Sequence, residues 1–351
     1  MREKIHLAVI GSGISGLTVA REIAMWLGEN AVTVFEKADR PGGRMASKVI
    51  NGADFDYGAQ FFTVKTASLQ ALIDEMRAQR VVDTWCGRFI EFDHKTVCSE
   101  RHWDDNYPHY VGTPNMAAIP EWLAKPPLKI HYETPVTKIV KKTKGWQLHS
   151  NKTTLGIFDW LVIAIPPEQA RALLPPSHQF QTTLSSIKMQ PCFTLRAALS
   201  EDIDFGFIAA LVRNHDISWI SKNSSKCNRT AEPSVIVHST NKWAQFHLND
   251  DLEQIKHHLL ECLQGITRIE QESIKSSDVK RWLFANAPRY SGSNHLIDYQ
   301  SAIAVCGDAL VHGRIEAAYK SAQHLVSDLT SEFEEKGIFA HRPMAGNSKK
   351  I

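Results

Sequence analysis

A glycine-rich segment near the start of the chain has the residue types and spacing of a phosphate-binding loop. Gly11-Ser-Gly13-Ile-Ser-Gly16 follows an apolar run at residues 6–10 and opens a stretch whose apolar residues recur at helical spacing. In such a strand, loop and helix, the first glycine makes the tight turn, the second lets the backbone approach a pyrophosphate, and the third lets helix and strand pack closely. The free N–H groups and dipole of the helix N-terminus favour negative charge. The segment therefore predicts a dinucleotide site.

An acidic residue stands where a ribose ligand is expected. The predicted helix ends near Gly28, a strand is predicted at residues 32–35, and Glu36 follows it directly, about 20 residues beyond Gly16. This position suits a carboxylate that accepts hydrogen bonds from the adenosine ribose hydroxyls. The segment up to Glu36 is therefore predicted to be one βαβ unit.

A second glycine pair follows the acid, in the segment Arg40-Pro-Gly-Gly-Arg-Met-Ala46. Gly42 and Gly43 allow the backbone to approach a cofactor closely, and the Arg44 guanidinium is suited to face phosphates. A Gly-Gly-Arg at this distance from the acid resembles the second signature of FAD enzymes of the glutathione-reductase and amine-oxidase type. The motif therefore favours FAD over NAD as the bound dinucleotide.

A third segment lies near the other end of the chain. Residues 303–308, Ile-Ala-Val-Cys-Gly-Asp, read as a buried strand that ends at Gly307 and Asp308, and this resembles the segment that holds the ribityl chain in these enzymes. The last helix is predicted to begin near Arg314. A helix N-terminus aimed at the flavin pyrimidine edge would stabilise negative charge at N1 and O2 as the ring is reduced.

The elements that must position these motifs divide into a βαβ start, a mostly β middle and a strand-plus-helix end. Helices are predicted around 14–27, 69–76, 251–264 and 314–332, and strands at 6–10, 32–35, 128–132, 136–140, 145–149, 161–165, 191–199, 207–212, 217–220, 234–238, 279–284 and 303–306. The fold class is therefore α/β, with a discontinuous Rossmann-like FAD-binding domain and an inserted β-sheet-plus-helix substrate domain. The predicted FAD domain is 1–64, 109–168 and 279–332, the substrate domain is 65–108 and 169–278, and 333–351 is a polar tail.

The composition excludes several classes of protein. The 351 residues are 43% hydrophobic and 22% charged, which argues against a disordered, collagenous or membrane-embedded chain. A net charge of +2 gives no reason to expect nucleic acid or an anionic membrane as partner. Nine Trp and sixteen His exceed what this length usually carries.

The cysteines and the N-terminus predict a cytoplasmic location. The six cysteines form no CxxC pair, so reduced thiols are expected rather than a disulfide frame or a zinc site. Glycines interrupt the N-terminal apolar run, which argues against a signal peptide, and no window approaches 18 uninterrupted apolar residues.

Several segments together resemble the renalase family, particularly its bacterial members, within the FAD-dependent amine-oxidase-like superfamily. The likeness rests on segments starting at Gly42 (GGRMA), Asp56 (DYGAQFFT), Gly112 (GTPNM), Trp219 (WISKNSSK), Val235 (VIVHS), Lys280 (KRW) and Gly307 (GD). It extends from residue 8 to about residue 325. The loop after Lys226 continues as Cys227-Asn-Arg229, where bacterial relatives would be expected to have Pro-Gly-Arg.

The resemblance implies a fold like that of p-hydroxybenzoate hydroxylase and FAD bound without a covalent link. It also implies oxidation of 2- or 6-dihydro-NAD(P) to NAD(P)⁺, with O2 reduced to hydrogen peroxide. Hydride transfer to flavin N5 needs an apolar, partly aromatic slot and little acid or base help, because the product ring aromatises. Phe61 follows the Gly-Ala-Gln segment, and His238 and Trp282 match the family's active-site His and Trp, so these three are the predicted catalytic walls.

The cofactor residues are predicted from the motifs and the resemblance together. They are Gly11, Ser12, Gly13, Ile14, Ser15, Gly16, Glu36, Lys37, Gly43, Arg44, Met45, Ala59, Gln60, Phe61, Val136, Gly307, Asp308, Arg314, Ile315 and Glu316. No metal site is predicted, because the adjacent His257 and His258 point to two sides of a helix.

Two other functions stay open at this stage. An FAD-dependent amine oxidase would need an aromatic cage for a deprotonated amine, usually with a lysine-bound water nearby, and no sequence feature establishes such a cage. A non-catalytic flavin-bound redox sensor or scaffold would hold FAD that no small substrate reduces. The expected partners are a small-molecule substrate and O2, and the sequence leaves the oligomeric state open.

Overall fold

The chain folds into 20 strands and 8 helices within residues 5–338, the part that this computed structural model describes. The strands are β1 Leu7–Ile10, β2 Val32–Phe35, β3 Ser47–Ile50, β4 Ala53–Asp56, β5 Val82–Thr84, β6 Gly87–Asp93, β7 Thr96–Trp103, β8 Tyr110–Gly112, β9 Lys129–His131, β10 Lys138–Lys141, β11 Trp146–Ser150, β12 Thr153–Phe158, β13 Trp160–Ile163, β14 Gln190–Leu199, β15 Ala209–Arg213, β16 Ile217–Lys222, β17 Ser234–Ser239, β18 Ile274–Asn286, β19 His295–Asp298 and β20 Ile303–Cys306. The helices are α1 Ile14–Leu27, α2 Ala67–Ala78, α3 Ala118–Leu123, α4 Pro167–Leu173, α5 Phe180–Ser186, α6 Asn241–Phe246, α7 Leu252–Thr267 and α8 Ile315–Glu335.

Unit 1 is the nucleotide-binding part and contains residues 5–41, 123–187 and 289–338. Its six-stranded sheet has the order β19-β20-β13-β1-β2-β9, in which the strands are parallel except β19. β10, β11 and β12 form a separate antiparallel sheet. Apolar faces of α1 and α8 cover one face of the large sheet, with Ile23 and Leu325 fully buried against Val9 and Val34.

Unit 2 contains residues 42–122 and 188–288. Its seven-stranded sheet has the order β18-β14-β17-β16-β15-β6-β7, and only the β15–β6 pair is parallel among the strand pairs described for it. Alternate residues of β17 point to opposite faces, as the period of a strand requires. Val235 and Val237 pack with Leu259 and Leu263 of α7 in the core. Ile236 instead packs against the β3–β4 hairpin, so that hairpin lies on the second face of the sheet.

The boundaries of these units differ from the predicted domain boundaries. Residues 42–64, 109–122 and 279–288 lie in unit 2, whereas residues 169–187 lie in unit 1. The β3–β4 hairpin shares a small apolar core with Ala198 and Ile236, and β18 pairs with β14 along its length, which explains the placement of 42–64 and 279–288. A residue that packs in unit 2 can still contact a cofactor. The predicted cofactor contacts of residues 43–61 therefore stay predictions.

The predicted polar tail 333–351 begins too early. α8 continues to Glu335, and Phe333 is fully buried against the sheet of unit 1, because the apolar spacing of the helix persists to that residue. Residues 339–351 lie outside the described part of the chain. None of the helices within residues 5–338 has the length and hydropathy needed to cross a membrane.

The loop between β1 and α1 is held by close backbone packing. A Cβ at Gly11, where φ is +101°, would lie 2.7 Å from the carbonyl oxygen of Ala164, and a Cβ at Gly16 would overlap the carbonyl oxygen of Gly11. At Gly13 a Cβ would meet nothing within 4 Å. Packing therefore requires the first and third glycines, whereas the second leaves open space.

We expect Gly16→Ala and Gly13→Ala to differ sharply in stability. A methyl group at residue 16 would overlap the carbonyl oxygen of Gly11. Gly16→Ala should therefore lower the free energy of unfolding by at least about 1–3 kcal/mol. Gly13→Ala should change it by about 1 kcal/mol or less, since φ is −75° and the space is open. Urea unfolding of both variants measures this, and equal losses would contradict the packing described for the loop.

Candidate active site

The glycine loop of unit 1 is tied to β2 through Glu36. This buried carboxylate accepts hydrogen bonds from the Ser12 N–H at 2.9 Å, the Ser12 hydroxyl at 2.7 Å and the Ala38 N–H at 2.9 Å. A carboxylate offers about four acceptor positions, so a ribose hydroxyl can still bind Glu36. The sequence predicted a ribose ligand, and the structure adds that the same side chain holds Ser12 in the loop.

Two glycines of unit 1 leave room for a ligand. No atom lies within 4 Å of a Cβ built on Gly13 or on Gly307, although both residues adjoin tightly packed strands. The Gly307 N–H is held by the Ser321 hydroxyl at 2.9 Å, and Asp308 beside it is buried. A backbone cradle with open space at the N-terminus of α1 fits the pyrophosphate of FAD. The residues present therefore fit this cofactor.

The other predicted cofactor residues of unit 1 have mixed surroundings. Ile14 and Ser15 begin α1, Lys37 is exposed, and Val136 is half-buried. Ile315 and Glu316 are the first two residues of α8, and Arg314 precedes them with φ at +94°. This left-handed value is uncommon for a residue with a side chain. Their contact with the cofactor stays a prediction.

In unit 2, the segment from Asp56 to Phe61 is here called the crossing segment. It runs over the second face of the seven-stranded sheet, the face opposite α7. Asp56 ends β4 and is fully buried. Its carboxylate pairs with Lys226 at 3.1 Å and Arg229 at 2.6 Å, and both cationic side chains are themselves fully buried. It also accepts the Ser47 hydroxyl and the Met116 N–H. These contacts fix the start of the segment.

The charges of this cluster shift the pKa values of its members. Burial alone would raise the pKa of Asp56, but Lys226 and Arg229 outweigh it and lower the pKa to about 2. Burial lowers the pKa of Lys226 to about 8 against the opposing attraction of Asp56. One carboxylate thus faces two cations, and the cluster is net positive when Lys226 is protonated.

Gln60 links the charged cluster to His238. Its Oε1 atom accepts from Lys226 at 3.2 Å and Ser221 at 2.9 Å. Its Nε2 atom donates to the carbonyl oxygens of Asp56 and Gly58, and lies 3.5 Å from Nε2 of His238. Both ends of the amide therefore have partners that define its orientation.

His238 is neutral in this environment. Burial lowers its pKa to about 3, and repulsion from Lys226 acts in the same direction. In the strand register His238 is opposite Trp219 on one side and Thr194 on the other, and its side chain is half-buried. A neutral imidazole can donate one hydrogen bond and accept another.

The predicted aromatic walls lie on this same face, at opposite ends of the crossing segment. Trp282 stacks on Tyr57 with ring centroids 5.6 Å apart and donates its indole N–H to the Tyr57 carbonyl oxygen at 2.9 Å. Phe61 lies 5.5 Å from Trp219 and 5.0 Å from Trp103, centroid to centroid. The structure therefore brings Phe61, His238 and Trp282 to one sheet face, and their contact with a substrate or flavin stays a prediction.

The Gly-Gly-Arg motif has a structural role within unit 2. Gly42 and Gly43 have φ values of +130° and +56°. The Arg44 guanidinium donates to the carbonyl oxygen of Ala285 at 3.1 Å, and the Arg44 carbonyl oxygen accepts the Ala59 N–H at 2.9 Å. Met45 is buried. These contacts join the motif to the crossing segment, while its contact with a cofactor stays a prediction.

Sequence reasoning missed several residues of the site. Asp56 and Lys226 occur in the renalase-like segments, and Arg229 ends the loop that departs from them at residues 227 and 228, but none of the three is a predicted site residue. The structure places Arg229 directly on Asp56. Trp103 and His109 stack with ring centroids 3.7 Å apart, and no sequence motif or spacing indicated either residue. The sequence feature that could have indicated this cluster is Asp56 at the end of a short buried strand. A buried carboxylate requires a cationic partner.

One group of possible metal ligands occurs within residues 5–338. Nε2 of His258 lies 2.9 Å from an oxygen of Asp216 and 3.5 Å from the sulfur of Cys262, and all three ligand atoms lie within 4.8 Å of one another. Cys262 belongs to the α7 side of the sheet, away from the face that carries His238. A histidine–aspartate hydrogen bond accounts for the short contact, and we assign no metal.

Two family models match the chain. Residues 9–76 match the model of an NAD(P)-binding Rossmann-like domain, and residues 101–329, more than half of the chain, match that of flavin containing amine oxidoreductases. The chain therefore belongs to the flavin containing amine oxidoreductase family. This membership confirms the predictions of an FAD-dependent oxidoreductase and of FAD as its cofactor.

Individual relatives are similar in sequence over a short stretch of the chain. Coproporphyrinogen III oxidase of Mycobacterium tuberculosis is 41% identical over 69 residues, which are 19% of this chain and 15% of that protein. Putrescine oxidase of Kocuria rosea is 37% identical over 70 residues, which are 20% of this chain and 14% of that protein. The match thus spans about one seventh of the length of these curated relatives.

Solved structures share the fold over nearly the whole chain. A proposed protoporphyrinogen oxidase from Exiguobacterium sp. 255-15 has a TM-score of 0.74 at 14% identity and covers 94% of this chain and 99% of its own. Cyclohexylamine oxidase from Brevibacterium oxydans has a TM-score of 0.70 at 14% identity, with coverages of 95% and 100%. At these identities the likeness establishes the fold alone, a mixed α/β architecture with a Rossmann-like domain.

We expect Asp56→Asn to destabilise the protein by about 3–5 kcal/mol, because it leaves two buried cations with no counter-charge. The matched control is Asp202→Asn, whose partner Lys222 lies at 2.6 Å but whose own side chain is 66% exposed. That change should cost about 1 kcal/mol or less. Urea unfolding at neutral pH compares the two, and a loss at Asp56 no larger than at Asp202 would contradict the role given to the cluster.

The same carboxylate predicts a dependence of stability on acid. Because the folded-state pKa of Asp56 lies near 2, below the ordinary 3.8, its contribution is complete above about pH 4 and is lost as the pH falls through 2. Asp56→Asn should therefore lose less stability than the natural protein between pH 4 and pH 2. Parallel acid titrations of the two proteins at fixed urea measure the difference.

Proposed function

We propose that the chain is an FAD-dependent oxidase of renalase type. It would oxidise 2- or 6-dihydro-NAD(P) to NAD(P)⁺ and reduce O2 to hydrogen peroxide. The observation that carries the proposal is the sheet face of unit 2 on which a neutral His238 stands beside Trp219, with Phe61 and Trp282 on the same face. A p-hydroxybenzoate-hydroxylase-like arrangement of the domains is part of the same proposal.

The residues that would hold FAD come from the motifs. Gly11, Gly13 and Gly16 would receive the pyrophosphate at the N-terminus of α1, and Glu36 would accept a ribose hydroxyl. Gly307 and Asp308 would lie along the ribityl chain, and the N-terminus of α8 would stabilise negative charge on the ring. The bound FAD supplies the hydride acceptor at N5 and the route of electrons to O2.

The site suits a substrate that needs no base. When a dihydronicotinamide loses a hydride, two electrons and one hydrogen leave a ring carbon, and the ring becomes an aromatic pyridinium without losing a proton elsewhere. His238, with a pKa of about 3, is already unprotonated at neutral pH and is too weak a base to remove a proton. The residues of this face therefore bind and orient, with aromatic rings as walls.

The charge of the site also favours this substrate. Asp56 faces both Lys226 and Arg229, so the buried cluster next to Gln60 and His238 has excess positive charge at neutral pH. A buried cation repels an ammonium group and attracts the phosphates of a dinucleotide. This feature favours a dihydronicotinamide dinucleotide over an amine.

An amine oxidase is the second candidate. The family model and the likeness to putrescine oxidase and cyclohexylamine oxidase favour it. The aromatic group of Phe61, Trp103 and Trp219 offers ring faces, which attract a cation. Among the described residues around Gln60, however, the Asp56 carboxylate is already paired with two protein cations, Lys226 and Arg229.

We expect the purified protein to carry flavin and to bleach anaerobically with 2- or 6-dihydro-NAD(P). The panel should include ordinary NADH, putrescine, cyclohexylamine and coproporphyrinogen, followed by admission of O2 and assay of hydrogen peroxide. Bleaching by a dihydro isomer, with peroxide formed afterwards, supports the proposal. Bleaching by amines alone favours the second candidate, bleaching by the porphyrinogen alone contradicts both, and a flavoprotein that nothing bleaches favours a redox sensor or scaffold.

A further inference from the structure

We propose that Gln60 and Lys226 are positioning residues that fix His238 as the neutral tautomer with its proton on Nδ1, so that this N–H donates a hydrogen bond to the substrate carbonyl. The inference deepens the proposed function and rests on it for the identity of the substrate. It assigns His238 the task of a donor, and it excludes the task of a general base.

The orientation of the Gln60 amide is the first step. Lysine has only donors, so the end of the amide that faces Lys226 must be the oxygen. Carbonyl oxygens are only acceptors, so the end that faces the carbonyls of Asp56 and Gly58 must be the NH2 group. Both ends of the amide give the same orientation. A reversed amide would place its NH2 group against the Lys226 ammonium and its oxygen against two carbonyl oxygens.

The tautomer of His238 follows from that orientation. Nε2 of His238 lies 3.5 Å from the Gln60 NH2 group, which has hydrogens and no acceptor. Both hydrogens of that NH2 group are directed at the carbonyl oxygens of Asp56 and Gly58, and its nitrogen accepts no hydrogen bond. A proton on Nε2 would therefore have no acceptor there, so Nε2 is bare and the ring proton resides on Nδ1. Within residues 5–338, the structure gives Nδ1 of this half-buried ring no hydrogen-bond partner. The N–H is therefore available to a ligand.

The charges around His238 keep the ring neutral. Lys226, behind Gln60, is the cation that acts on it, and burial has the larger effect in the same direction. On the neighbouring strands of the same face, Arg196 is paired with Asp278 at 2.6 Å, and Lys280 lies over the Trp282 ring at 5.7 Å. Lys226 therefore favours the neutral His238 ring in two ways. It repels a protonated imidazole, and it donates a hydrogen bond to the Gln60 oxygen that fixes the amide.

Nitrogen NMR of the FAD-loaded enzyme, with ¹⁵N-labelled histidine and His238 assigned by its loss in His238→Asn, tests the tautomer directly. We expect Nδ1 protonated and Nε2 bare, with no titration between about pH 5 and pH 8. A proton on Nε2, or a titration near the ordinary histidine pKa, would overturn the proposal. This measurement needs no substrate, so it decides the proposal even if no dihydronicotinamide reduces the flavin.

A pair of substitutions separates the two ring nitrogens in kinetics. The Asn amide nitrogen lies near the place of Nδ1, and the Gln amide nitrogen lies near that of Nε2. His238→Asn should keep the rate constant of flavin reduction within about 10-fold, whereas His238→Gln should lose about 10-fold to 100-fold more, which is the loss of one hydrogen bond. The reverse order, or equal losses, would contradict a donor at Nδ1.

Gln60→Glu tests the positioning role. The new carboxylate next to Nε2 should protonate His238, giving an imidazolium signal near pH 6 and a pH-dependent rate of flavin reduction in place of a flat profile. The matched control is Gln264→Glu on α7, which should leave both unchanged. An unaltered His238 signal in a folded Gln60→Glu protein would show that Gln60 does not set the ring.

Discussion

The buried pairing of Asp56 with Lys226 and Arg229 is the interaction on which the described site depends. Removing a charge from water costs several kcal/mol per ion, so none of the three side chains is stable here without the others. Asp56 ends β4, whereas Lys226 and Arg229 lie in the loop between β16 and β17. The cluster thus joins a hairpin to two central strands, and the crossing segment begins at that junction.

The chemistry of the site follows from the position of that segment. Tyr57 reaches Trp282, Gln60 reaches His238, and Phe61 reaches Trp219, so a run of six residues meets three strands of the sheet. Burial, together with repulsion from Lys226 of the cluster, keeps His238 neutral and leaves binding as its task. A scaffold that needed a base would require the opposite charge, since a carboxylate next to histidine raises its pKa.

Much of the fold was predictable because its signals are local. The apolar runs and glycine spacing of β1, α1 and β2 predicted the βαβ unit, and β20 and α8 were equally clear. The β3–β4 hairpin, β6 and β7 were missed. In β7 most side chains are exposed, so apolar periodicity had no signal there, and β3 and β4 are only four residues each.

The site was predictable only in part for a related reason. Resemblance to a family pointed to Phe61, His238 and Trp282, which the structure brings to one face. The ionic contacts of Asp56 span more than 160 residues of sequence, and no local pattern indicates a pair at that separation. The domain boundaries differed likewise, because the hairpin packs on strands that are distant in sequence.

Hydrogen exchange of the backbone amides in Asp56→Asn and in the natural protein tests the central claim most directly. If Asp56 holds the crossing segment, protection should fall further in residues 56–62 and 223–230 than in β1 and β2 of unit 1, where only the loss of global stability acts. A uniform loss of protection over the whole chain, or unchanged protection in residues 56–62, would contradict the account.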